Sequence, residues 1–147
     1  MAIRIQAVMA AALVIGLSAC ATAPAGLAKK EAELKTFEAK AERAGVYIYR
    51  NESAAAFLSM QVEIDGKTVA KTGSMSFVYV DLAPGKHAIT SKAENTDTLE
   101  IEVEAGKLYY VVQDPKPGNL YVRTKLRVVD EAEGQQGVKA TKLTMTT

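Results

Sequence analysis

Residues 98–112 read TLEIEVEAGKLYYVV, and the alternation in their first half constrains the fold more than any other feature. Leu99, Ile101 and Val103 fall on one side of an extended chain, and Glu100, Glu102 and Glu104 on the other, because successive side chains of a strand point to opposite faces. That pattern predicts a half-buried strand. If Ala105-Gly106 is a two-residue turn, Val103 stands opposite Leu108, Ile101 opposite Tyr110 and Leu99 opposite Val112 on the buried side. Glu104 then meets Lys107, and Glu102 meets Tyr109, outside.

The same period recurs along the chain. VYIYR (46–50) opens it. In FLSMQVEID (57–65), Leu58, Met60, Val62 and Ile64 share a face. Asp65-Gly66 joins that run to KTVA (67–70), and a type I′ turn there needs positive φ at both positions. FVYVDL (77–82), apolar on both faces, reads as a central strand, and Pro84-Gly85 turns the chain into the next one. After DPKPGN (114–119), Val122, Leu126 and Val128 point inward while Arg123, Lys125 and Arg127 point out. Asp130 to Glu133 has capping-box spacing, so a short terminal helix is expected, with a last strand as the alternative because Gly134 and Gly137 weaken a helix. Seven or eight short strands with regular turns predict an all-β, antiparallel β-sandwich over residues 45–147. No internal repeat of 20 to 50 residues is present.

Ahead of the strands the period is helical. Leu27, Leu34, Phe37, Ala41 and Ala44 trace one face of an amphipathic helix over 27–44, with Glu31 and Lys35 an i,i+4 pair on the other. Its stripe packs on its own domain or on a partner. Residues 20–26 (CATAPAG) are small and Pro/Gly-containing, as in a linker.

Residues 1–19 carry Arg4, then an apolar run over 5–17, then Ser18-Ala19. This is the plan of a cleaved signal peptide, and the run is too short for a spanning helix. Leu17-Ser18-Ala19-Cys20 resembles the lipobox of bacterial lipoproteins. That resemblance implies cleavage before Cys20, acylation of its thiol and of the new amine, and anchoring by several acyl chains. Ala21 stands where an aspartate would resemble the inner-membrane retention signal, so the expected address is the periplasmic face of the outer membrane.

The sequence excludes some chemistry and narrows the rest. Of its 18 lysines and arginines, one, Arg4, lies in residues 1–19, so residues 20–147 carry as many bases as the 17 acids. Nucleic acid is not an expected partner of a neutral domain. His87 is the only histidine and Cys20 the only cysteine. A metal site or a hydrolytic triad therefore lacks its ligands and base. His87, at a strand start, reads as a half-exposed strand residue. The chain is expected to be non-catalytic, with no metal and no cofactor, and with Cys20 as its site of lipid attachment. A hydrolytic enzyme is the least favoured alternative.

Two surface patterns keep two readings each. Arg123, Lys125 and Arg127 either pair with the acidic stripe of 100–104 or form an anion site. Tyr47, Tyr49, Tyr109 and Tyr121 lie opposite their strands' aliphatics and form either an aromatic platform for sugars or partners, or a face covered by a helix.

VEIDGKTVAKTGSMSFVYVDLAPGKHAI (62–89), followed by AGKLYYVV (105–112), resembles the bacterial domain of unknown function numbered 2846. The half from Asp65 to His87 is also similar to PEGA-type, immunoglobulin-like sandwich modules. The resemblance covers roughly residues 44–130 and implies a short, β-rich envelope protein, often a lipoprotein, with no assigned activity or catalytic residue. The expected function is a lipid-anchored binding or scaffolding module with the membrane as one partner and an envelope protein or glycan as another. A glycan or small-ligand module is the alternative.

Overall fold

The computed structural model describes residues 24–147. The expected signal peptide and the acylation site Cys20 lie outside the described residues. Helix α1 (Ala25–Leu34) leads into strands β1 (Ala44–Arg50), β2 (Met60–Ile64), β3 (Lys67–Thr72), β4 (Ser76–Leu82), β5 (Gly85–Lys92), β6 (Thr96–Val103), β7 (Leu108–Pro117) and β8 (Val122–Val129). Helix α2 (Glu131–Lys139) and a two-residue strand β9 (Lys142–Leu143) follow. The strands form two sheets, ordered β8-β7-β1-β4-β9 and β3-β2-β5-β6, which is the expected β-sandwich. Pairing is mostly antiparallel, but β1 runs parallel to β7 and β4 parallel to β9.

Local turn chemistry behaves as the residues dictate. Asp65 and Gly66 take φ of 51° and 78°, and β2 and β3 pair across them. The turn at 105–106 does not. Gly106 has φ of 78°, yet β6 pairs with β5 and β7 pairs with β1 and β8, so the chain crosses from one sheet to the other. The expected facing of Val103 with Leu108 and of Ile101 with Tyr110 is therefore wrong. Backbone groups of the turn are taken up by the approach to β1 instead: Gly106 donates to the Arg43 carbonyl and Gly45 to that of Lys107, each at 3.0 Å. Glu104 and Lys107 do meet across the turn, as an ion pair at 2.8 Å.

Between the sheets lies an aliphatic core that includes Val46, Ile48, Val62, Val78, Ile89, Ile101, Val103 and Val111. The outer face of the five-stranded sheet is equally dry. There Tyr47, Tyr49, Phe77, Tyr110 and Val112 cluster with Val138 and Leu143 beneath the helices. β1 is buried at every residue. The molecule thus has three layers, sheet, sheet and helical cover, and the central sheet is apolar on both faces.

The expected helix over 27–44 is shortened. It runs only from Ala25 to Leu34, with Glu31 and Lys35 paired at 2.8 Å. The Leu34 carbonyl, which a continuing helix would offer to residue 38, accepts from the Tyr47 hydroxyl at 2.6 Å and from the Phe37 N–H at 3.2 Å. Phe37, at φ of 55°, turns into the aromatic layer with its ring 5.5 Å from that of Tyr47. Tertiary packing of one aromatic side chain ends the helix. The stripe of Leu27, Leu34 and Phe37 covers the chain's own domain.

At the other end, Asp130 accepts the Glu133 N–H at 2.8 Å and caps α2. Gly134 and Gly137, which weaken a free helix, are where this one touches the sheet. Both the terminal helix and a last strand are present.

Candidate functional site

β1 and β7 end, and β2, β4, β6 and β8 begin, at one pole of the sandwich. The loops gathered there (51–59, 73–75, 93–95 and 118–121) are held from within by polar side chains. Arg50, the last residue of β1, lies on the same face as Val46 and Ile48 and is wholly buried. All of its guanidinium donors are used. Nε and Nη2 reach Glu52 Oε1 at 3.1 and 2.6 Å, Nη1 reaches the Leu58 and Thr72 carbonyls at 2.8 and 3.0 Å, and Nη2 also reaches the Ala55 carbonyl at 3.4 Å. Glu52 accepts the Ala55 N–H at 3.1 Å. A short loop is thereby wound around one buried cation.

Beneath the same pole a buried polar chain joins the sheets. Thr72 donates to Gln113, Gln113 donates to Ser91, and the Ser91 and Thr124 hydroxyls are hydrogen-bonded at 2.7 Å. Asn95 extends the pairing as a backbone would, accepting the Thr124 N–H at 2.7 Å and donating to the Thr124 carbonyl at 3.0 Å.

Glu94 completes the arrangement. Its carboxylate accepts the backbone N–H groups of Asn119, Leu120 and Tyr121 at 2.8, 3.0 and 2.7 Å. Those donors, Tyr121 foremost, hold its carboxyl below the usual carboxylate range. Glycine at 118 leaves room for this arrangement, since a Cβ there would stand 2.4 Å from Glu94 Oε2 and 2.9 Å from the Tyr121 carbonyl oxygen. The loop so fixed presents Leu120 and Tyr121 at 82% and 70% exposure, and the Arg50 loop presents Phe57 at 87%. A cleft of about 160 Å³, lined by Leu58, Met60, Ala93, Tyr121 and Val122, lies between the two loops. Apolar side chains this exposed, on loops this tightly held, form a candidate binding surface.

The residues singled out from sequence are placed differently. Tyr47 and Tyr49 are buried, and Tyr109 packs against the inter-sheet core instead of facing outward. Only Tyr121 of the proposed platform is widely exposed, so the helix-covered reading holds for Tyr47 and Tyr49. Burial pushes the Tyr49 hydroxyl up to about 12. The basic stripe does form ion pairs, though not with Glu100, Glu102 or Glu104. Lys125 pairs with Asp97 at 3.1 Å, and Arg127 with Glu133 at 3.0 Å and Asp114 at 3.5 Å. Val128 is exposed at the sandwich edge.

His87 is more enclosed than its position suggested. Its side chain is 15% exposed, with Nδ1 2.6 Å from Asp65 Oδ2 and Nε2 2.8 Å from the Ala83 carbonyl. Both neighbours are acceptors, so the imidazolium is favoured and the pKa is raised, by Asp65 first and the carbonyl second. Beside the pair is a shallow groove of about 450 Å³ lined also by Lys86, Glu100 and Glu102.

Arg50, Glu94 and Gln113 were not identified from sequence. Arg50 and Gln113 could have been, since both sit on the inward parity of an otherwise apolar strand. Glu94 carried no signal, because its partners lie 25 to 27 residues away. Among the described residues no group of histidine, cysteine and carboxylates is placed to hold a metal ion, and no helix is long and apolar enough to cross a membrane.

A family model described as a protein of unknown function (DUF2846) matches residues 40–125. That span runs from just before β1 into β8 and contains Arg50, His87 and Glu94. An uncharacterized protein of Haemophilus influenzae is 32% identical over 141 residues, covering 91% of this chain and 83% of its own length.

Proposed function

Starting from a chain that belongs to the DUF2846 family of proteins of unknown function, we propose that it is an envelope lipoprotein, acylated at Cys20 and held at the periplasmic face of the outer membrane. Its sandwich acts as a non-catalytic binding or scaffolding module. The tether follows from the lipobox-like Leu17-Ser18-Ala19-Cys20 and from Ala21 after it. The binding role is carried by one observation: Glu94 holds three backbone N–H groups so that Leu120 and Tyr121 stand in solvent on a fixed loop. Adjacent large apolar side chains exposed on a held loop favour an interaction surface.

Mass spectrometry of the mature N-terminal peptide tests the tether, with an acylated cysteine at position 20 expected. An unmodified Cys20, or a mature chain starting elsewhere, refutes it. Co-purification of the acylated protein from membranes in several detergents tests the module, and no partner above background counts against it.

A small-ligand role has the groove beside His87 and Asp65 in its favour. Calorimetry against envelope glycans, with His87→Ala as the comparison, separates that reading from scaffolding.

A further inference from the structure

We propose that α1, with the turn after it, is a strap that leaves the sandwich as one unit while both sheets stay folded, and that its release lengthens the tether. The gain in reach rests on the reading of Cys20 as acylated; the release itself does not.

The strap is seated shallowly. None of the ten residues of α1 is buried, whereas α2 buries Gly134, Gly137 and Val138. Leu27, Leu34 and Phe37 lie half-buried on the aromatic layer. Three concavities border the helix: about 480 Å³ by Leu34 and Tyr47, about 240 Å³ beside Leu27 and Met145, and about 560 Å³ between Ala32 and Leu143. Layers at interior density leave few voids wider than a water molecule, and this cover falls well short of that. What fastens it is polar. Glu31 accepts the Leu143 N–H at 3.0 Å, Lys35 donates to the Thr141 carbonyl at 2.6 Å, and the Tyr47 hydroxyl donates to the Leu34 carbonyl. Water can replace each of these on release.

The docked state also holds strain that release removes. Phe37 sits at φ of 55°, a region unfavourable for a bulky side chain. The apolar spacing of the helix continues past Leu34 to Ala41. Once Tyr47 lets go, the Leu34 carbonyl is free for the Glu38 N–H, and the helix can run on. Two arrangements of the same residues compete, one fixed by the Phe37 ring on Tyr47 and the other by continued helix.

The hinge is set by what stays behind. Lys40 pairs with Asp81, and Arg43 donates to the Asp81 carbonyl at 2.9 Å while accepting the Gly106 N–H at 3.0 Å. Glu38 and Ala39, both exposed, lie between that clamp and Phe37. With the strap docked, the tether runs four residues, from Cys20 to Pro24; released, it runs twenty, from Cys20 to Lys40. Its fully extended limit grows from about 14 Å to about 70 Å. Release also bares the ring faces of Tyr47 and Phe77, which Phe37 and Lys35 cover.

Native-state hydrogen exchange on the full-length acylated protein in detergent tests the release. Amides from Ala28 to Lys35 are expected to share one protection factor, at least 100-fold below those of Val46 and Ile48, with little dependence on urea below the unfolding transition. Phe37→Ala should lower that protection at least tenfold and leave Val46 and Ile48 unchanged. Ala32→Leu, which fills the space beside Leu143, should raise it at least threefold. Exchange of α1 with the protection and urea dependence of β1 overturns the strap. So does loss of protection graded from the Ala25 end that leaves Leu34 and Lys35 protected, since that is fraying. Energy transfer from a dye on Thr98→Cys to headgroup-labelled lipid in phosphatidylcholine vesicles reads the reach, and Phe37→Ala should lower it by at least half. Unchanged transfer with α1 released overturns the lengthening. An unacylated Cys20 removes the gain in reach, and exchange still decides the release.

Discussion

Gly137 of α2 lies against the ring of Tyr49 in β1, so closely that a methyl group at 137 would stand 2.1 Å from Tyr49 Cε2. One turn earlier Gly134 meets Tyr110 in the same way, at 2.1 Å from Cγ. Two glycines on one helical face let the helix backbone rest on two aromatic rings. In a solvent-exposed helix, Gly→Ala stabilises by about 1 kcal/mol. Here the sign reverses: Gly137→Ala and Gly134→Ala each force the helix off the sheet, at a cost of about 1–3 kcal/mol. Gly26 of α1 has no atom within 4 Å of such a methyl, and Gly26→Ala is expected to be neutral or stabilising by less than about 1 kcal/mol. Urea unfolding midpoints of the three variants check the contrast, and a raised midpoint for Gly137→Ala would show the contact to be wrong.

These glycines also show where sequence reading stops. Local propensity reads Gly134 and Gly137 as damage to a helix, because the rings that make them useful lie on β1 and β7. Asp65-Gly66 was legible since its demand, positive φ at two adjacent residues, is met within the turn. Alternation at 99–104 told which side of β6 is buried, since that is a property of the strand itself. It could not tell that β7 belongs to the other sheet, because a strand apolar on both faces fits either partner. Tyr109 and Tyr110 exchanged sides for that reason. At the pole, the parity of Arg50 within VYIYR pointed inward, whereas the capture of residues 119–121 by Glu94 depends on a chain return that no short window contains.

Two tyrosines in the aromatic layer should respond oppositely to loss of a hydroxyl. Tyr47 donates to the Leu34 carbonyl at 2.6 Å and fastens the end of α1. Tyr110, stacked on it with centroids 5.3 Å apart, has a buried hydroxyl that reaches no partner at good hydrogen-bond geometry among the described residues, with the Gln135 side chain beside it. Tyr47→Phe is expected to cost about 0.5–1.5 kcal/mol, whereas Tyr110→Phe removes an unsatisfied group and is neutral or stabilising by up to about 1 kcal/mol. Thermal unfolding of the two variants, with hydrogen exchange at residues 34–38, reads both effects. Equal destabilisation would contradict the difference in bonding.

Arg50 is buried with every donor engaged, so its removal strands acceptors as well as a carboxylate. Arg50→Met should destabilise by about 3–5 kcal/mol. Arg50→Lys should recover only part of this, since one ammonium cannot span Glu52, Leu58 and Thr72 together. Because the guanidinium winds the 51–59 loop, both variants should speed proteolysis near Phe57 under native conditions. Unchanged cleavage with lowered stability would mean that Arg50 supports the core and not the loop.

The pair of His87 and Asp65 makes stability depend on pH in a defined direction. The His87 pKa is raised above 6.5, chiefly by the Asp65 hydrogen bond. The Asp65 pKa is lowered below 3.8, chiefly by the Ala88 N–H, which donates at 2.9 Å, and then by His87. A raised histidine pKa stabilises the fold fully below 6.5, and that contribution fades as pH climbs through the folded-state value. The lowered aspartate pKa stabilises above 3.8 and fades as pH falls through its own folded-state value. The advantage of the wild type over His87→Ala is therefore expected to be greatest between these reference values, 3.8 and 6.5, and to shrink above them. Asp65 is half exposed, which keeps the effect in the range of about 0.2–1 kcal/mol of a surface pair. With one histidine in the chain, its ring resonances report the titration without overlap. A midpoint above 6.5 is expected, and one at or below it would mean that neither the carboxylate nor the Ala83 carbonyl holds the imidazolium in solution.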